Sequence, residues 1–121
     1  MIEKRKFTRI KFSSSGVMAF KDKYYNLTVQ DISLRGIRIS SPYIDQIPLN
    51  SKLSFIIKNA ELRMAAQGTS VSKNNDGTLG VKWTGIGEGS LNNLILLMKN
   101  LAPNKNVIEK EISGLVLKVK A

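Results

Sequence analysis

The sequence predicts a mainly β fold, a small six-stranded antiparallel β-barrel with a C-terminal α-helix. Three observations lead there. Six short segments rich in β-branched and aromatic residues lie between residues 16 and 84, divided by turn residues. Beyond residue 84 the apolar spacing changes from a period of two to that of a helix. A chain of 121 residues fits one domain with one core. Closing the strands into a barrel removes sheet edges, and the helix would cover one open end.

The elements follow in order. Residues 1–12 read as a flexible basic arm, with Lys4, Arg5, Lys6, Arg9 and Lys11 among Phe7, Ile10 and Phe12. Its charges repel, and few of its residues are expected to be buried. Ser13–Gly16 breaks the pattern. Gly16–Phe20 is a first strand and Tyr24–Ile32 a second, with Tyr25, Leu27 and Val29 on one face. Leu34-Arg-Gly36 turns into Gly36–Ser41, where Ile37 and Ile39 oppose Arg38 and Ser40. Residues 42–51 hold two prolines and read as a loop. Lys52–Lys58 and Glu61–Ser72 are strands four and five, joined tightly at Asn59-Ala60, with a bend or bulge at Gly68. Lys73-Asn-Asn-Asp-Gly77 is a hairpin signal leading to Thr78–Thr84. Leu91, Leu94, Ile95, Met98 and Leu101 then form a helical stripe that Leu96 and Leu97 widen, with Ser90 as N-cap and Pro103 as stop. The barrel and helix thus occupy residues 13–103. Residues 104–121 form a tail in which Leu115–Lys120 alternates as an edge strand would.

The balance of 19 Lys plus Arg against 9 Asp plus Glu gives +10, a surface that attracts anions. There is no Cys and no His. Disulfide frameworks, thiolate zinc sites, imidazole bases and Ser-His-Asp triads are therefore excluded. The nine acids are scattered and place no carboxylate pair on a common face, so no catalytic activity, cofactor or metal is expected. No stretch is long and apolar enough to span a bilayer, and the charged start leads into no signal segment, so the chain reads as cytoplasmic.

Two constellations carry binding chemistry. Arg5-Lys-Phe-Thr-Arg9 places two guanidiniums on one side of an extended chain, up to roughly 13 Å apart, able to clamp a ligand that offers several oxygens. Asp31-Ile-Ser-Leu-Arg-Gly36 places a carboxylate and a hydroxyl together. Gly36 there permits a left-handed turn or close approach by a ligand. A carboxylate can take the N–H donors of guanine's Watson–Crick edge, and arginine complements the N7 and O6 acceptors of its other edge. Taken alone, the first constellation reads rather as a solvated basic arm and the second as an ordinary turn bonded to its own backbone.

Together, R-x-x-x-R in the arm and D-x-S-x-x-G at the second-to-third strand turn resemble the PilZ domain family. The likeness extends through Leu79–Trp83 and the helix, over roughly residues 4–102. The resemblance implies a six-stranded β-barrel that binds the second messenger cyclic di-GMP, with Arg5, Arg9, Asp31, Ser33 and Gly36 as ligand contacts. Lys4, before the first motif arginine, bears on whether one ligand or a stacked pair binds. Arg35 and Arg38 flank Gly36; Arg38 either reaches a phosphate or is solvated. Trp83 either stacks on a base or packs beneath the helix. The resemblance implies a receptor whose arm is ordered by ligand and read by a protein partner, with a homodimer left open.

Gly85-Ile-Gly-Glu-Gly89 looks like a dinucleotide-binding loop but lacks the βαβ context that fingerprint requires. The runner-up function is a basic β-barrel that binds nucleic acid through its positive surface. Against it, no strand interleaves aromatic and basic residues as stacking platforms do. An interaction module that has lost its ligand is a third class, opposed by the intact motifs.

Overall fold

The computed structural model describes residues 7–114 and the backbone of residues 119–120. Six strands pair antiparallel: β1 (Ile10–Phe20), β2 (Lys23–Ile32), β3 (Gly36–Ser40), β4 (Lys52–Lys58), β5 (Arg63–Lys73) and β6 (Thr78–Gly87). Around the barrel the order is β3-β2-β1-β4-β5-β6, and β6 pairs back onto β3 to close it. A single turn of 3-10 helix, Ile44–Gln46, lies in the Pro-containing loop, with Ile44 and Ile47 buried. Alternation decides the faces. On β4, Leu53, Phe55 and Ile57 point inward between exposed neighbours, and β2 does the same with Leu27 and Val29. The core is one cluster around Met18, Ile39, Phe55 and Leu79, with Phe55 and Trp83 meeting edge to face at 5.8 Å.

Three expectations need correcting. The barrel begins at Ile10, inside the stretch read as an arm. Ile10 and Phe12 are each 5% exposed, and Phe7 packs partly against the core. The serines at 13–15 do not interrupt the strand: Ser14 and Ser15 pair with Val29 and Thr28, after a register shift between Lys11 and Ser14. Ile10, Phe12 and Met18 are an even number of residues apart, so alternation along one strand turns all three to the inner face. Second, Ser90 is not the N-cap of α1 (Glu88–Leu101), a place taken by Gly87. The Ser90 hydroxyl accepts the Ala65 N–H at 2.9 Å instead and ties the helix to β5. Third, Leu96 does not widen the buried stripe and is 58% exposed, because two residues from Leu94 is more than half a helical turn. Leu94, Leu97 and Met98 make the buried face against the barrel.

The tail holds a second helix, α2 (Lys105–Ser113). The Asn104 side chain caps it by accepting the Val107 N–H at 3.1 Å, and Ile108 is fully buried. Of the stretch Leu115–Lys120, residues 115–118 lie outside the described residues. Val119–Lys120 forms β7, which runs parallel to β6 at Ile86 and Gly87. Among the described residues no helix is long and apolar enough to cross a membrane.

Candidate functional site

The β2–β3 corner is built by local bonding. Ser33 donates its N–H to the Gly36 carbonyl at 2.9 Å, and its hydroxyl oxygen accepts the N–H groups of Arg35 and Gly36, each at 3.2 Å. The corner is also fastened to β6, because the Trp83 N–H donates to the Arg35 carbonyl at 2.9 Å and the indole Nε1 to the Ser33 carbonyl at 3.4 Å. Of the two needs the sequence suggested for Gly36, the left-handed turn is not the one it meets, since the residue is not in the left-handed region. A Cβ built there would lie 2.2 Å from the Val81 carbonyl oxygen, so barrel closure excludes any side chain.

Register then sets the charges. Asp31 and Arg38 are cross-strand partners on β2 and β3, and Arg38 Nε donates to Asp31 Oδ2 at 2.8 Å. The same guanidinium reaches Asp76 Oδ2 at 3.2 Å, on the hairpin between β5 and β6. That hairpin turns at Gly77, whose φ is +86°, a conformation glycine adopts without strain. Asp76 Oδ1 accepts both the hydroxyl and the N–H of Thr78, and these bonds, with Arg38 beside it, hold the carboxyl below the usual carboxylate range. Arg38 is therefore neither free nor merely solvated: it bridges two carboxylates.

In front of this corner lies an open groove of about 550 Å³. It gathers four residues of the two motifs, Arg9, Asp31, Ser33 and Gly36, with the flanking Arg35 and Arg38. Arg5 and Lys4 lie outside the described residues. Trp83, the remaining candidate, does not belong to the groove: it is 3% exposed, its indole turned into the barrel, so it offers no stacking face. The groove also contains residues the sequence did not single out, namely Phe7, Ser72, Asn74, Gly80 and Lys82. Asn74 and Lys82 are legible only through closure, since it is the β3–β6 pairing, with Gly36 opposite Lys82, that brings them to the β2–β3 corner. Phe7 carries its own signal in the sequence, an aromatic inside the arginine motif.

The groove is cationic, with Arg9, Arg35, Arg38 and Lys82 around the 7%-exposed Asp31. Arg35 holds its guanidinium over the Phe7 ring, 5.1 Å from the centroid. Its Nε is the buried side-chain nitrogen that has no hydrogen-bond partner among the described residues. A buried donor left unpaired is costly. Asp31 keeps acceptor capacity beyond the bond to Arg38. The arrangement suits a ligand that carries both anionic oxygens and N–H donors. Among the described residues no group of three or more acidic side chains gathers that could hold a metal.

Comparison with known proteins gives a consistent picture. The family model described as the PilZ domain matches residues 3–100. No protein of curated function matches the chain. Among solved structures, the chain is similar to Borreliella burgdorferi PlzA in complex with c-di-GMP (16% identity, TM-score 0.57, covering 72% of this chain). It is similar to the Bacillus subtilis inhibitor of motility MotI/DgrA (12% identity, TM-score 0.67, covering 95% of this chain). It is also similar to the PilZ domain of CeSA from a cellulose-synthesizing bacterium (12% identity, TM-score 0.56, covering 78% of this chain and 94% of that one). The chain spans 38% of the length of the first of these and 55% of the second.

Proposed function

From the premise that the chain belongs to the PilZ domain family, we propose that it is a cyclic di-GMP receptor that acts on a protein partner and carries out no chemical step. The observation that supports this most is convergence: Arg9 of the arm lines one groove with Asp31, Ser33 and Gly36 of a corner far from it in sequence, and with Arg35 and Arg38. In this reading the ligand lies on the outside of the barrel against the β2–β3 corner. Asp31 accepts N–H donors from a guanine edge, while Ser33 holds the corner that presents it. Arg9, and Arg5 from the same arm, close over base acceptors and phosphates.

Each residue that the ligand has to order costs on the order of 1–2 kcal/mol, and charge-assisted hydrogen bonds of roughly 1.5–3 kcal/mol each offset it. Both arginines are therefore needed. Capture of the ligand changes the surface that a partner meets, and the reading places the protein in the cytoplasm, where a second messenger acts.

The test is calorimetric titration of the full chain against cyclic di-GMP and a panel of linear and cyclic nucleotides, beside Arg5→Ala, Arg9→Ala and Asp31→Ala. Wild type binds cyclic di-GMP in preference to the rest, each variant loses on the order of tenfold or more in affinity, and the titration gives the stoichiometry. Three variants that bind like wild type would remove the site assignment. A preference for oligonucleotides that falls steeply with salt would replace the reading with nucleic-acid binding.

A further inference from the structure

The helix α2 begins after residue 100, beyond the part of the chain that the family model matches. It is nevertheless bound to the arm. Thr8 donates its N–H to both carboxylate oxygens of Glu111, at 3.0 and 2.9 Å, and its hydroxyl to Oε2 at 2.6 Å. These contacts join residues 103 positions apart. The helix that offers this carboxylate is itself anchored, by the buried Ile108, by the Asn104 cap, and by the Lys99–Glu109 pair at 3.7 Å across to α1.

Thr8 stands at the centre of the arm segment that faces the groove. On one side Phe7 lies under Arg35, and on the other Arg9 lines the groove. Thr8 also lies within the R-x-x-x-R motif, between Arg5 and Arg9. A single carboxylate thus fixes both the backbone and the side chain of the residue from which the arm's ligand contacts extend. Charge-assisted bonds of this kind are the stronger class, and an arm organised beforehand loses less entropy when ligand arrives.

Resting on the reading of the groove as a cyclic di-GMP site, we infer that Glu111 is a positioning residue for it: α2 holds the arm in its gripping position. Coupling free energy is reciprocal, so bound ligand stabilises α2 by the factor with which α2 strengthens ligand binding. The C-terminal helix then carries the state of the groove to a surface outside the barrel.

The experiment is a double-mutant cycle on the full chain, read by calorimetry with cyclic di-GMP and by amide hydrogen exchange. Glu111→Ala weakens binding on the order of tenfold. Thr8→Ala weakens it less, because the backbone N–H still reaches the carboxylate, and Thr8→Ser restores wild-type affinity. In the Glu111→Ala background Thr8→Ala has no further effect, the non-additivity expected of one shared contact. Ligand increases exchange protection of residues 105–113 in wild type and not in Glu111→Ala. If Glu111→Ala binds as tightly as wild type while Arg9→Ala is weakened, the role of α2 is lost and the site reading stands. If wild type itself does not bind cyclic di-GMP, both go.

Discussion

The two halves of the groove are held by different means. The Asp31–Gly36 corner is bonded within itself, pinned to β6 by two Trp83 bonds and closed against Val81, so it belongs to the barrel. The arm segment Phe7–Arg9 is held by the Phe7 ring, which lies under Arg35 and packs partly against the core, and by one carboxylate on Thr8. What this teaches is a division of labour: substitutions that break the corner's own bonds, at Gly36 or Trp83, register in stability, whereas substitutions of the side chains that face the groove, Arg9 in the arm and Asp31 in the corner, register in affinity. Both carry motif residues, yet the physical roles of those residues differ.

The sharpest way to break that division is Gly36→Ala. The added Cβ has backbone in front of it, which cannot move without disturbing the β3–β6 pairing. A loss of about 2–3 kcal/mol in chemical unfolding is expected, with binding lost as the corner distorts. Arg9→Ala is the control, since Arg9 is exposed and its removal should leave the unfolding curve within about 0.5 kcal/mol of wild type. An equal loss of stability in both would mean that the arm is as much part of the barrel as the corner.

Trp83→Phe comes next in size. It removes a long hydrogen bond to the Ser33 carbonyl and part of a ring that meets Phe55, for a cost of about 1–2 kcal/mol in unfolding. Affinity for cyclic di-GMP should hold, because the indole offers the groove no face. A large fall in affinity with little loss of stability would restore the stacking role that its burial removes.

Much of this was legible in the sequence because the determinants are local. Alternation placed Leu27, Val29, Ile37, Ile39, Leu53, Phe55 and Ile57 inside, and Asn, Asp and Gly marked the Lys73–Gly77 hairpin. Asp31 and Arg9 become candidates through the family resemblance that the two motifs carry together, and both line one groove. What escaped was set by closure and by long-range contact. Nothing near Asn74 or Lys82 announces that β6 pairs with β3, and nothing near Glu111 announces Thr8. The α2 helix could have been found, since Asn104 as cap and Ile108 and Ile112 four apart are helical signals, but the polar composition of the tail outweighed them. Leu96 shows the opposite error, in which hydrophobicity was taken for burial without regard to its angle on the helix.

The smallest expected effect concerns the hairpin that tethers Arg38. Asp76 is exposed, so its ion pair with Arg38 is screened and contributes little, and the Thr78 bonds dominate the lowering of its pKa. A carboxyl whose folded-state pKa is depressed stabilises the fold above its unfolded value, here 3.8, and loses that contribution as pH falls through the depressed value. Asp76→Asn should therefore unfold slightly more easily than wild type near neutral pH. The gap should narrow steadily below about pH 4, where the wild-type carboxyl also becomes uncharged. Urea unfolding of both proteins across that range reads the convergence directly. A gap that stayed constant into strong acid would show that the shape of the side chain, and not its charge, sets the hairpin that keeps Arg38 against Asp31.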